Sequence, residues 1–97
     1  MSVVVIVQGI PRADKAETLK QYQGVALSVI GRFGGQPVAR GKAVKSLHGP
    51  HAWQIGAVIR FPDMAAVEGW YADAEYQKVL PLRDESFEEL EITVFQE

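Results

Sequence analysis

An α+β fold in the order β-α-β-β-α-β is predicted by three observations. Val3 to Ile10 and Trp53 to Phe61 are apolar on both parities, as strands in the middle of a sheet are. Gln36 to Gly41 and Leu90 to Phe95 mix apolar with charged or polar residues, as edge strands do. Helical patterns separate the first strand from the second and the third from the fourth. With strands one and three central and strands two and four at the edges, the sheet is antiparallel in the order 4-1-3-2. That is the ferredoxin-like split-βαβ sandwich, and right-handed crossovers put both helical segments on one face.

The first strand is rich in β-branched residues, which pack well on a pleated surface and poorly in a helix, and Gly9 and Pro11 close it. Asp14 reads as an N-cap, with Glu17 completing a capping box. Leu19, Tyr22, Ala26, Val29, Ile30 and Phe33 recur at spacings of three and four, predicting one apolar stripe on a helix from about Lys15 to Phe33. Gly24 lies mid-helix at a cost of about 1 kcal/mol relative to Ala, and Gly34-Gly35 ends it. Pro37 suits an edge strand. Lys42 to His51 is a polar connection with a Gly49-Pro50 turn. In the third strand Trp53, Ile55, Ala57, Ile59 and Phe61 share one face. Pro62 stops it, Asp63 caps a helix over Met64 to Ala72, and Asp73 caps a further turn from Tyr76 to Leu80, before Pro81. Leu82 to Glu89 reads as an acidic connection. Leu90, Ile92 and Val94 alternate with Glu91, Thr93 and Phe95 in the last strand.

Ninety-seven residues make one domain, spanning 1–97. Net charge is −2 with a pI of about 5.7, unlike the basic surface expected of a nucleic-acid partner. The N-terminal valine run lacks the basic flank and length of a signal peptide or a membrane span. The chain has no cysteine, which removes thiol chemistry and disulfides and fits a reducing compartment. The expectation is a cytoplasmic protein without a membrane or nucleic-acid partner. The sheet face away from the helices would still carry valine and isoleucine, an apolar patch that monomers rarely expose. A homodimer through facing sheets is therefore expected.

Phe33-Gly34-Gly35, Arg40-Gly41 and the run from Phe61-Pro62 through Trp70-Tyr71 to Glu75-Tyr76 together resemble domain-of-unknown-function family 1330, in the dimeric α/β-barrel superfamily. The likeness covers nearly the whole chain. The family's Trp-Tyr-x-Ser-Pro-Glu-Tyr pattern stands here as Trp70-Tyr71-Ala72-Asp73-Ala74-Glu75-Tyr76, with Asp73 in place of the serine cap and the proline missing. The resemblance implies a ferredoxin-like protomer paired sheet to sheet. It implies no activity, because the wider superfamily includes metal-free monooxygenases, isomerases, haem-binding dismutases and ligand sensors.

The candidate site residues each have two readings. Arg40, at the parity of Val38, either faces an apolar layer, where it needs a carboxylate, a ligand anion or water, or is an exposed edge arginine or one in a salt bridge to Glu91 or Glu97. The family likeness favours the pocket. One of Trp70 and Tyr71 should pack inward and the other lean to the rim. Trp70 taken alone reads as ordinary helix-on-sheet packing and Tyr76 as a pocket wall, and in the pocket reading Tyr76 and Trp70 together wall an apolar ring or chain. Arg83, beside Asp84, is either an anion clamp over the pocket mouth or part of a solvated loop. His48 is the one candidate general base, though it would have to reach in from a hairpin tip. It and His51 lack a third ligand for a metal. No phosphate loop or nucleophile elbow is present, the acidic run from Asp84 to Glu91 reads as a solvated face, and no cofactor is called for. Two functions follow. One is a small-molecule pocket between sheet and helices, with cofactor-free proton transfer or oxygenation of a small aromatic or carboxylic compound as its chemistry. The other is a non-enzymatic, dimeric binding or stress-associated module.

Overall fold

The computed structural model describes all residues, Met1–Glu97. Its elements are β1 (Val3–Pro11), a 3₁₀ turn (Ala13–Lys15), α1 (Ala16–Arg32), β2 (Gln36–Lys42), β3 (Ile55–Phe61), α2 (Met64–Ala72), α3 (Ala74–Lys78), α4 (Leu80–Ser86) and β4 (Phe87–Gln96). The sheet order β2-β3-β1-β4 is the predicted ferredoxin-like arrangement, antiparallel throughout. No helix is long and apolar enough to cross a membrane.

Three local expectations change. The capping box at Asp14 does not form. Asp14 lies inside the 3₁₀ turn, and Lys15 occupies the N-cap without a side-chain bond. The turn, closed by Lys15 N–H donating to the Arg12 carbonyl at 3.1 Å, extends the helix start through backbone bonds instead. The third strand begins at Ile55 rather than Trp53, whose ring packs 4.8 Å from that of His51. The stretch read as an acidic connection is helix α4 followed by the start of β4. Pro81 falls in the first turn of α4, where a missing N–H costs nothing.

Both aspartate caps of the second helical segment form. Asp63 Oδ1 accepts from Ala66 N–H at 2.8 Å, and Asp73 Oδ1 accepts from Glu75 N–H at 2.8 Å and Tyr76 N–H at 3.3 Å. Asp73 thus restarts the chain as α3 without the family's proline and delivers Tyr76 inward. Gly34, at φ 84°, reverses the chain after α1, a conformation that a side chain resists.

The register sorts the side chains. Val3, Val5 and Val7 of β1 lie beside Phe61, Ile59 and Ala57 of β3 and face the helices. Ile92 and Val94 of β4 join this layer through their pairing with Val7 and Val5. The core is Val3, Val5, Tyr22, Ala26, Val29, Ile30, Ile59, Phe61, Val67, Trp70, Tyr76, Val79 and Phe87. The opposite face carries Val4, Ile6, Val58 and Phe95, with no element of this chain over it, and Phe95 is 50% exposed.

Candidate functional site

The helix-covered face is filled at one end only. Where β1 begins and β3 ends, Phe61 stacks on Trp70 with ring centroids 5.6 Å apart, and Tyr76 packs edge-on against Trp70 at 5.3 Å. At the other end the layer consists of smaller residues, and a cavity of about 390 Å³ remains between α1 and the sheet. Val7, Ile55, Ala57 and Ile92 form part of its floor, Tyr22, Ala26 and Ile30 of α1 its roof, and Trp70 belongs to its wall. Phe87 also lines it. Its ring packs against Gly9 so closely that a Cβ there would lie 2.7 Å from Phe87 Cε1.

Arg40 belongs to this site for a reason of register. A bulge between Pro37 and Ala39 shifts the pairing, so that Arg40 lies beside Ala57 and Lys42 beside Ile55. Both residues are thereby placed on the helix side of the edge strand, and both line the cavity. Arg40 pairs with neither Glu91 nor Glu97; Glu97 is held instead by Arg60, at 2.8 and 2.9 Å. That pair and a bond from Ser2 lower the Glu97 carboxyl to about 2.

The aromatics divide as expected between an inner and an outer ring, Trp70 being 2% and Tyr71 41% exposed. Of the two expected pocket walls, Trp70 stands at the cavity and Tyr76 does not. Trp70 lines the cavity, and its Nε1–H is a buried donor without an acceptor. Tyr76 is fully buried behind the cavity and makes no part of its lining. Tyr76 connects to the cavity through Tyr22, whose Oη lies 2.8 Å from Tyr76 Oη. Arg83 is not in a solvated loop and does not cover the mouth. It projects from α4 with its side chain 16% exposed, and Nη1–H donates to Tyr71 Oη at 3.0 Å and reaches Tyr76 Oη at 3.5 Å.

This network has a direction. A guanidinium only donates, so Tyr76 Oη accepts from Arg83. The hydroxyl proton of Tyr76, in a fully buried side chain, requires an acceptor, and Tyr22 Oη is the one within reach. Tyr22 therefore accepts, which leaves its own O–H proton available on a residue of the cavity lining. Burial, reinforced by Tyr76, pushes the Tyr22 hydroxyl pKa well above the usual tyrosine value, so Tyr22 acts as a neutral donor.

His48 is not brought to this site. It sits in the exposed connection 43–54 and lines neither this cavity nor the hollow on the open sheet face. His51 is tied to Glu89 through Nδ1 at 2.8 Å. No group of three or more His, Cys, Asp or Glu is arranged to hold a metal. Sequence reasoning placed Tyr22 in the core stripe but missed its polar role, which depends on a partner 54 residues away. It missed Lys42 by ending the strand at Gly41. The signal was the i, i+2 spacing from Arg40, which puts both on one face of a strand.

Among curated proteins none matches the chain. Among solved structures it is similar to the RPA0582 protein of unknown function from Rhodopseudomonas palustris, with a TM-score of 0.87 and 20% identity over 99% of this chain and 82% of that one. A dimeric ferredoxin-like protein of unknown function from Jannaschia sp. CCS1 aligns with a TM-score of 0.79 and 11% identity over 100% of both chains. Hydroxynitrile lyase from Passiflora edulis aligns with a TM-score of 0.71 and 9% identity over 97% of this chain and 91% of that one. At these identities the likeness is one of fold. The model of the family described as Domain of unknown function (DUF1330) matches residues 4–96, nearly the whole length, and the chain belongs to that family.

Proposed function

We propose that this chain is a small-molecule-binding protein that works as a sheet-to-sheet homodimer, with one ligand site per protomer between α1 and the sheet. The observation that carries the reading is the unfilled cavity of about 390 Å³ at one end of an otherwise packed layer. Close-packed cores leave few voids larger than a water molecule, and this one falls within the size range of small-ligand sites. Its lining is mostly hydrophobic, with Gln23, Arg40, Lys42 and the tyrosine Tyr22 supplying its polar side chains.

The lining favours binding over turnover. No histidine, aspartate or glutamate, the side chains that most often act as general acid or base, lines the cavity. The dimer rests on the open sheet face, where Val4, Ile6, Val58 and Phe95 lack a covering element, and on solved neighbours described as dimeric.

The test is a thermal-shift screen of small acids, phenols and quinones against the wild type and Ala57→Leu. Ala57 is half-buried on the cavity floor, and a leucine there would occupy the ligand's space. Ligand at 100 times its dissociation constant adds about 2.7 kcal/mol, a rise on the order of ten degrees for a domain of this size. A hit lost in Ala57→Leu supports the site, and a screen without hits, or a hit indifferent to Ala57→Leu, overturns it. For the dimer, light scattering should give twice the chain mass at micromolar concentration, and the mass of one chain for Ile6→Glu combined with Val58→Glu. A wild-type monomer would refute the face-to-face pairing.

A further inference from the structure

We infer that the ligand of this cavity is an organic monoanion with an apolar body and a carboxylate, held at the edge strand by Arg40 and Lys42 together. This rests on the cavity reading and adds the charge and class of what enters. Three observations point the same way.

The first is sign. Among the 17 residues that line the cavity there is no aspartate or glutamate, while two are cations. The second is the absence of internal partners for those cations. Arg40 and Lys42 form no ion pair with a carboxylate of this chain; Arg12, Lys20, Lys45 and Lys78 are also unpaired, but of these six only Arg40 and Lys42 line the cavity. The third is position. The bulge after Pro37 sets Arg40 and Lys42 at alternate positions beside Ala57 and Ile55 on one strand edge, where both line the cavity and also border the hollow on the open sheet face. Both residues remain exposed, so their charges keep their water until a ligand arrives and incur little desolvation cost in the empty protein.

The rest of the lining is predominantly hydrophobic, twelve of the 17 residues. An anion that was all charge, such as phosphate, would leave that surface wet. A neutral hydrocarbon would leave the cations unused. A molecule that places an alkyl or aryl body among Val7, Ile55 and Ile92 and a carboxylate between Arg40 and Lys42 satisfies both halves. A guanidinium and an ammonium together suit a planar carboxylate, Arg40 through paired N–H donors and Lys42 as a point charge.

The experiment is titration calorimetry of the full chain with octanoate, and with 1-octanol as its uncharged counterpart. Octanoate should bind at least tenfold more tightly than octanol, and raised salt should narrow the gap, because exposed charges are screened. Arg40→Gln and Lys42→Gln should each weaken octanoate about three- to tenfold and leave octanol unchanged, exposed ion pairs contributing modestly. Lys45→Gln, which removes a cation outside the lining, should change neither. Arg40→Glu combined with Lys42→Glu should reverse the preference, so that octylammonium binds in place of octanoate. Equal binding of octanoate and octanol, both abolished by Ala57→Leu, would overturn the anion assignment and leave the cavity reading standing. Failure of octanoate, octanol and octylammonium to bind any of these proteins would overturn the anion assignment, and the site itself would then be judged by the thermal-shift screen. Octanoate binding that is insensitive to Arg40→Gln and Lys42→Gln would place the anion elsewhere and also defeats the inference.

Discussion

The two ends of the helix-covered sheet face are built from the same alternation and reach opposite outcomes. At the β1 start, Val3 and Val5 are 5% and 0% exposed against Phe61, with Trp70 stacked above them. At the far end the same strands present Val7, Ala57 and Ile55, half-buried, and the layer above them remains open. The difference lies in side-chain volume and in cover. The filled end has the large rings of Phe61, Trp70 and Tyr76 and the α2–α3 segment that brings two of them inward. The open end has alanine and aliphatic residues beneath a single helix. Correct patterning therefore closes a core only where volume matches the space, and a shortfall at one end of a regular sheet leaves a site.

Three substitutions test this contrast, taken from the largest expected effect down. Phe61→Ala removes a fully buried ring from the filled end and should cost about 3–5 kcal/mol in denaturant unfolding. Ile55→Ala, on the same strand and face but beside existing space, should cost about 1–2 kcal/mol, below the usual range for a fully buried isoleucine because it is only half-buried. Equal losses would show that the open end is packed in solution. Tyr22→Phe severs the link between the two ends, since Tyr22 roofs the cavity and bonds to Tyr76. It should cost about 1–2 kcal/mol because the Tyr76 hydroxyl loses its acceptor, and Tyr22→Phe with Tyr76→Phe should cost less than the sum of the single changes. Additive losses would break the directional network.

The smallest effect concerns acid and neither end. Glu97 has its folded pKa lowered to about 2, against an ordinary glutamate near about 4.3. Between these values the unfolded chain binds the proton more readily than the folded one. The stabilisation from Arg60 is therefore fully present above pH 4.3 or so and lost as pH falls towards 2. Glu97→Gln should lower Tm slightly at neutral pH, and the two melting curves should converge near pH 2. A constant difference across the range would assign the effect to something other than this ion pair.

Much of this molecule was legible from local pattern. A continuous run of β-branched residues located β1, period-two alternation located β3 and the greater part of β4, and the distinction between fully apolar and mixed strands put β2 and β4 at the edges. Asp63 and Asp73 announced α2 and α3 because capping is a contact within four residues. The acidic stretch before β4 misled, since charge on the solvated side concealed a short helix whose opposite side buries Ser86 and half-buries Leu82.

The site was less legible. Arg40 and Trp70 could be singled out by residue type, but whether Arg40 faced the helices depended on a one-residue bulge that inverts parity. The direction of the hydroxyl chain through Tyr22, Tyr76 and Arg83 depended on three elements meeting in space. His48 looked like chemistry in the sequence and is placed away from the cavity by the exposed connection that carries it.

The sequence by itself determined the element order, the strand ranking and the apolar stripe of α1, because each follows from interactions between residues a few positions apart. Only the tertiary structure decided that Ala57 and Ile55 would meet no large side chain, that Arg40 and Lys42 would stand together over that gap, and that Trp70 would lose water from its indole N–H without gaining an acceptor. These are matters of volume and pairing between distant segments, and no local periodicity encodes the space left over when such segments pack.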